Sequence, residues 1–119
     1  MRFEGNAILE KSIAFALRII RLYQYLSQQK REYVLSKQIL RSGTSIGANV
    51  TEAQCAQSRN DFYAKLYIAY KETAETLYWL YLLYAGGYIE WNGYNSMLTD
   101  NQEILCLLSS ITKSTKIRN

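Results

Sequence analysis

Few residues of this chain could carry out catalysis. Its 119 residues include no histidine, which removes the commonest general base and the commonest metal ligand. Cys55 and Cys106 are the only cysteines, and neither has a close sequence neighbour of the kind that builds a metal site. The sequence therefore predicts no metal and no cofactor, and it predicts both thiols as buried or half-buried residues of a reduced protein.

Two segments begin to match catalytic patterns but do not complete them. The stretch RSGTSIGANV at 41–50 contains two glycines, but no Gly-Lys-Ser/Thr follows, so it fails as a phosphate-binding P-loop. Glu72 and Glu75 share one helical face, and with Lys65 and Trp79 beside them they are typical of a solvated or interfacial edge. The sequence thus predicts no enzyme and no small-molecule substrate.

The distribution of charge points to an anionic partner. Residues 1–60 contain nine Lys and Arg against four Asp and Glu, whereas residues 61–119 contain five against six. Such asymmetry favours one basic surface, which would attract nucleic acid or another anionic partner. The candidate contacts for RNA or DNA are a row on the first predicted helix with no acid among its members, and two cations on the second: Lys11, Arg18, Arg21, Tyr25, Lys37 and Arg41. Phosphate binding needs unpaired cations in a line, and the alternative is an ordinary solvated face.

Tyrosine supplies a second candidate surface. The chain contains eleven tyrosines, and five recur near one stripe of the third predicted helix: Tyr63, Tyr67, Tyr70, Tyr78 and Tyr81. Aromatic rings can stack on bases, but an aromatic stripe at helical spacing is more often core or subunit interface. Because this stripe lies beside a second apolar face, the helix has more apolar surface than one four-helix core can bury. We therefore predict that the protein is an oligomer and that this stripe forms its interface.

The elements that must position these residues are helices. Proline is absent, so little interrupts them, and capping residues mark starts at Asn6, Ser36 and Ser58. The predicted helices cover about 7–29, 37–57, 59–85 and 91–114. Short connections make sequential helices antiparallel neighbours, so we predict an all-α, up-down-up-down four-helix bundle in one domain over 1–119. No apolar run is long enough to span a membrane, and we expect a cytoplasmic protein without membrane contact.

Apolar periodicity predicts the faces that pack. On the first helix, two neighbouring rows together predict one broad apolar face: Leu9, Ile13, Ala16, Ile20 and Tyr23, and Ile8, Phe15, Ile19, Leu22 and Leu26. On the second, residues at steps of four and three form a helical stripe: Ile39, Gly43, Ile46, Val50 and Ala53. Gly43 and Gly47 each cost about 1 kcal/mol relative to alanine in a helix. Close approach of a neighbouring helix can offset that cost, so we predict that 41–50 is helical and tightly packed.

With the helices placed, three segments carry a resemblance to a known family. They are RSGTSIGANVTEAQCAQSRNDF, KLYIAYKETAETLYWL and AGGYI. The chain resembles, over about residues 15–110, the four-helix bundle proteins encoded in intervening sequences of bacterial 23S ribosomal RNA. More distantly, it is similar to the accessory variability determinant of diversity-generating retroelements. The resemblance implies a ring-like homopentamer, and through the retroelement relative it implies nucleic-acid binding by a basic surface.

On the second helix the resemblance is strongest at Ser45, Ile46, Asn49 and Glu52. Gly47 is a further signature and packing position, although the family often has proline there. Asn49 and Glu52 could line a ligand or subunit contact. Alternatively, they belong to a hydrogen-bonded network that fixes helix register, which is the interpretation that the resemblance favours. The combined hypothesis is a non-catalytic, self-assembling bundle that binds RNA or DNA. The alternative is a protein–protein scaffold that binds no nucleic acid.

Overall fold

Four α-helices form the protein. A computed structural model describes residues 6–115, and the helices are α1 (Ala7–Gln28), α2 (Leu35–Ala53), α3 (Arg59–Ala85) and α4 (Trp91–Thr115). Each helix packs on the next, and α1 also contacts α4, which closes the bundle. Residues 6–115 contain no strand. The predicted all-helical, four-helix fold is confirmed.

Two of the three predicted caps are present. The side chain of Asn6 accepts a hydrogen bond from the backbone N–H of Leu9 at 3.2 Å. The hydroxyl of Ser58 accepts one from the N–H of Asp61 at 3.0 Å. Both residues have extended backbone and satisfy an amide of the first helical turn, as N-caps do.

The prediction for the start of α2 was wrong. The helix begins at Leu35, because the carboxylate of Glu32 accepts hydrogen bonds from the N–H groups of Val34, Leu35 and Ser36 at 2.8, 3.1 and 2.9 Å. Ser36 is fully buried, and its hydroxyl donates to the carbonyl of Glu32. A carboxylate at the positive end of the helix dipole replaces the expected serine cap.

The end of α2 also differs from the predicted residue 57. Three successive N–H groups, those of Gln54, Cys55 and Ala56, bond to the carbonyl three residues earlier. This tighter pattern ends the helix at Ala53. Cys55 lies in that turn and Cys106 on the outer side of α4, and both thiols are exposed. The prediction that they are buried or half-buried was therefore wrong.

The core confirms the predicted stripe of α2, whose five members are all buried. On α1 only part of the predicted face is inside. Phe15, Ile19 and Leu26 are buried, whereas Ile20 is 38% exposed and lies outside the core. The two rows together are wider than the groove that the neighbouring helices offer. Close contact between α1 and α2 occurs at the glycines, where Gly43 packs on Ile19.

A glycine turn ends α3 and places α4 on its neighbour. Gly87 has a φ of 84°, which is in the left-handed region. The N–H of Gly87 donates to the carbonyl of Tyr84 at 3.0 Å, and the N–H of Tyr88 donates to the carbonyl of Leu83 at 2.9 Å. This pair of bonds is the Schellman motif, and it confirms the helix end predicted at the two adjacent glycines.

Candidate nucleic-acid interface

The first two cations of the predicted basic row are paired with α4. The ammonium of Lys11 forms a salt bridge with Glu103. The guanidinium of Arg18 lies 2.5 Å from the carboxylate of Asp100 and also donates to the hydroxyl of Ser96 at 2.9 Å. The hydrogen bond and charge of Glu103 raise the pKa of Lys11 above its ordinary value. These cations join two helices, and their charge is locally balanced.

Arg41 is also paired, but with α3. Its guanidinium lies 3.2 Å from the carboxylate of Glu72 and forms a second ion pair with Glu75. The indole N–H of Trp79 donates to the same Glu75 carboxylate at 2.9 Å. Burial opposes the charge of Arg41, but its bond to Glu75 and the two acidic charges outweigh burial and raise its pKa. These side chains link α2 to α3 at the surface of the bundle.

The other three predicted contact residues are exposed and available to a partner. Arg21, Tyr25 and Lys37 all lie on the surface, and neither Arg21 nor Lys37 forms an ion pair within residues 6–115. The structure therefore separates the six predicted residues into a paired set and an unpaired set. The sequence did not reveal which cations are paired, because the acids that bind Lys11 and Arg18 lie over 80 residues away, on α4.

The small and polar positions of α2 do not join in one network. The side-chain amide of Asn49 donates to the carbonyl of Ser45 in its own helix at 2.9 Å. Glu52 instead reaches α3, where it pairs with Lys65 at 3.2 Å. Gly47 faces α1. Asn49 and Glu52 thus have separate contacts, and only Glu52 forms a hydrogen bond with another helix.

Five of the six tyrosines of α3 lie along one side of the helix and form an aromatic surface, here called the tyrosine face: Tyr63, Tyr67, Tyr70, Tyr78 and Tyr81. The rings of Tyr63 and Tyr67 stack at 5.8 Å between centroids, and those of Tyr67 and Tyr70 stack at 6.0 Å. Tyr78 and Tyr81 are each 55% exposed. Rings this exposed contribute little to the core of one chain, so the face is available to another molecule.

Helix α4 borders the tyrosine face along its length. An open groove between the helices is lined by the three stacked rings and by Ser109, Thr112 and Lys113. Further along, Tyr81 meets the buried ring of Tyr94 edge to face at 6.4 Å. Four acids of α3 and α4 point toward α2 and α1, where they form the ion pairs described above: Glu72, Glu75, Asp100 and Glu103. The groove is therefore aromatic and hydroxyl-rich, with a single cation.

Two further structural facts concern the described range. No three His, Cys, Asp or Glu side chains in residues 6–115 lie close enough together to hold a metal ion. Within the same range, every helix is too short or too polar to cross a membrane.

Comparison with known proteins assigns the fold to a family. The sequence model of the 23S rRNA-intervening sequence proteins matches residues 4–110. The chain belongs to this family. The resemblance to this family, inferred from the segments of α2 and α3, is confirmed.

A solved structure supports membership in the 23S rRNA-intervening sequence family. The chain is 55% identical to a Bacteroides thetaiotaomicron protein of unknown function from the S23 ribosomal protein family. The match covers 91% of this chain and 96% of that one, with a TM-score of 0.90. No curated protein matches. Family and fold are shown by these likenesses, and the activity has to be argued from the surfaces.

Proposed function

We propose that this chain is a non-catalytic bundle protein that assembles into a ring-like homopentamer and binds RNA or DNA in that form. The observation that carries the proposal is the tyrosine face. Tyr67, Tyr78 and Tyr81 are exposed along one side of α3, and tyrosine is enriched where proteins meet. The number of copies rests on the family resemblance.

A closed ring needs two different surfaces on each copy. A head-to-tail interface joins one patch to another, unlike the self-complementary patch of a two-fold dimer. The second patch is on α1, where Leu17 is 49% exposed and Ile20 is 38% exposed. In residues 6–115, helix α1 packs beside α2 and α4, and α3 lies diagonally across the bundle from it. The two patches therefore lie on different sides of the bundle, as a ring requires.

Light scattering tests the assembly. The parent should have a mass of about 69 kDa, which is five copies of 13.8 kDa. Tyr78→Glu with Tyr81→Glu should give monomers, and so should Leu17→Glu with Ile20→Glu, because each double variant loses one patch. Mixing the two variants should give dimers and nothing larger, since each retains the patch that the other lacks. A monomeric parent at micromolar concentration would refute the proposal, as would a mixture that stays monomeric.

The nucleic-acid part rests on charge. The chain has a net charge of +4, and a ring repeats the unpaired cations of each copy around its axis, which strengthens the field that a phosphate backbone meets. Binding should be weakly sequence-specific and should weaken steeply with added salt, because it releases counterions from phosphates. Titration with labelled RNA and DNA at several salt concentrations measures both properties.

One observation favours a second candidate, a protein–protein scaffold that binds no nucleic acid. Lys11, Arg18 and Arg41 are already paired with carboxylates, so half of the predicted contact residues have a protein partner. A parent that assembles normally but binds neither RNA nor DNA at low salt would establish the scaffold and reject the nucleic-acid function.

A further inference from the structure

Four exposed cations without a carboxylate partner lie at one end of the bundle. Within residues 6–115, Arg21, Lys30, Arg31 and Lys37 are exposed and form no salt bridge. They lie on the last two turns of α1, the connection to α2 and the first turn of α2. Of the other cations in this range, carboxylates bind Lys11, Arg18, Arg41 and Lys65, and backbone carbonyls near the end of α4 bind Arg59. Lys71 and Lys113 are also exposed and form no salt bridge in residues 6–115, but they lie beside the tyrosine face, on α3 and near the end of α4.

Few acids offset this charge. Glu32 is the only acid in the connection, and its carboxylate is occupied by three amides at the start of α2. Glu90 is the other nearby acid, and it lines a groove with Tyr25 at the edge of the cluster. The end of the bundle therefore keeps a positive field, although its connection contains an acid.

Exposed aromatic rings lie among these cations. Tyr25 is 41% exposed and Tyr33 is 54% exposed. The ammonium of Lys30 lies 5.9 Å from the centroid of the Tyr25 ring, and Arg21 precedes Tyr25 by one helical turn. Cations that hold phosphates beside rings that stack on bases are the combination found in proteins that bind single strands.

We infer that this end of the bundle, the basic end, binds single-stranded nucleic acid, an inference that rests on the proposed function and locates its contact surface. The basic end consists of Arg21, Tyr25, Lys30, Arg31, Tyr33 and Lys37. Single strands are favoured over duplexes because only unpaired bases present a face on which a tyrosine can stack. A membrane is disfavoured because lipid binding needs a broad apolar helix face, and the connection adds only Val34 to its tyrosines.

Fluorescence anisotropy of labelled oligonucleotides tests the inference on the full chain. Single-stranded RNA, single-stranded DNA and a duplex of the same length are compared. The parent should bind both single strands more tightly than the duplex. Lys30→Gln with Lys37→Gln should weaken binding roughly tenfold or more, and should lower the dependence of log affinity on log salt by about 1.4, as expected when two phosphate contacts are lost.

Matched variants separate local charge from net charge. Lys65→Gln makes the same charge change as Lys37→Gln, but at a paired site on α3, and it should reduce affinity much less. Tyr25→Ala with Tyr33→Ala should weaken single-strand binding roughly tenfold with little change in the salt dependence, because stacking releases no counterions. Light scattering and circular dichroism should show all variants folded and assembled like the parent.

The other outcomes are distinct. If Lys11→Gln weakens binding and Lys30→Gln with Lys37→Gln does not, the basic end is the wrong surface although the proposed function stands. Preference for the duplex, or tyrosine variants that bind like the parent, would overturn the single-strand assignment. Binding to phosphatidylserine vesicles without binding to any oligonucleotide would replace nucleic acid with a membrane surface. A parent that binds neither refutes the nucleic-acid function itself.

Discussion

Gly43 of α2 and Ile19 of α1 are in direct contact, and a Cβ atom at position 43 would stand 2.7 Å from Cγ1 of Ile19. Three atoms of the isoleucine side chain lie within 2.9 Å of that point. Ile19 is fully buried, and its β-branched side chain has few alternative rotamers. The isoleucine cannot move aside easily, so the absence of a side chain at position 43 sets the distance between the two helices.

Gly43→Ala should therefore destabilise the protein. Overpacking costs about 1–3 kcal/mol, and the gain in helix propensity of about 1 kcal/mol offsets only part of that cost. Gly47→Ala is the matched control, since a Cβ there would lie 3.5 Å from the nearest atoms of Ser12, an ordinary contact. That variant should be as stable as the parent or more so.

Urea unfolding at equal protein concentration measures both changes, because assembly makes apparent stability depend on concentration. Gly47→Leu, which adds a branched side chain against the Ser12 backbone, should lose about 1–3 kcal/mol or more. If Gly43→Ala unfolds at the same urea concentration as the parent, the close approach of α1 and α2 is not needed for stability.

Apolar substitution of two buried polar residues, Asn101 and Thr76, should change the stability in opposite directions. The side-chain oxygen of Asn101 is buried and has no hydrogen-bond partner within residues 6–115, while its amide donates to the carbonyl of Thr73 at 3.1 Å. An unsatisfied buried acceptor costs about 1–3 kcal/mol, and one hydrogen bond contributes about 0.5–1.5 kcal/mol. Asn101→Leu should leave the free energy of unfolding unchanged or raise it by about 1 kcal/mol.

Thr76→Val provides the contrast. The hydroxyl of Thr76 lies 2.8 Å from that of Ser42, and both residues are fully buried. Removing the hydroxyl without changing the shape should cost about 1 kcal/mol. Thermal or urea unfolding compares the two variants. A large loss of stability in Asn101→Leu would mean that its oxygen has a partner in the assembled protein.

The cap of α2 should respond to charge as well as to hydrogen bonding. Glu32→Ala removes an acceptor from three amides and a negative charge from the helix start, and should cost about 1–2 kcal/mol. Glu32→Gln keeps one acceptor oxygen for Val34 and Ser36, but it loses the charge and replaces the oxygen that faces Leu35 with an NH2 donor, so its cost should be somewhat smaller. Equal losses in the two variants would show that the bonds to Val34 and Ser36 alone do not stabilise the start of the helix.

Local patterns predicted the features that depend on local spacing. The stripe from Ile39 to Ala53 identified α2 as a helix despite its two glycines, and the paired glycines at 86 and 87 correctly marked the end of α3. Caps that bond within three residues, such as Asn6 and Ser58, were also predictable.

Features decided by distant residues could not be predicted in this way. Two apolar rows on α1 had equal periodicity, and only the positions of α2 and α4 leave Ile20 outside. The basic row looked unpaired because none of its members is an acid, whereas the acids that pair with Lys11 and Arg18 come from a helix near the other end of the sequence. Glu32 was missed as a cap because it acts from the connection before the helix and not from the N-cap position.

Charge reversal should lower the free energy of unfolding more at Arg18 than at Arg21. Arg18→Glu would place a carboxylate beside Asp100 and remove the hydrogen bond to Ser96. Both partners are partly exposed, and water screens their interaction, so the loss should be about 1 kcal/mol. Helices α1 and α4 share little contact compared with the other neighbouring pairs, so no large packed surface replaces the lost pair.

Arg21→Glu is the matched control, because it makes the same charge change one turn away at an exposed site with no ion pair in residues 6–115. It should leave stability within about 0.5 kcal/mol of the parent. Urea unfolding in low and high salt checks both variants, and the difference between them should shrink in high salt, which screens the repulsion in Arg18→Glu. If the two variants are equally stable in low salt, the pair between Arg18 and Asp100 contributes nothing to the α1–α4 contact, and Arg18 is then as free as Arg21 to meet an anionic partner.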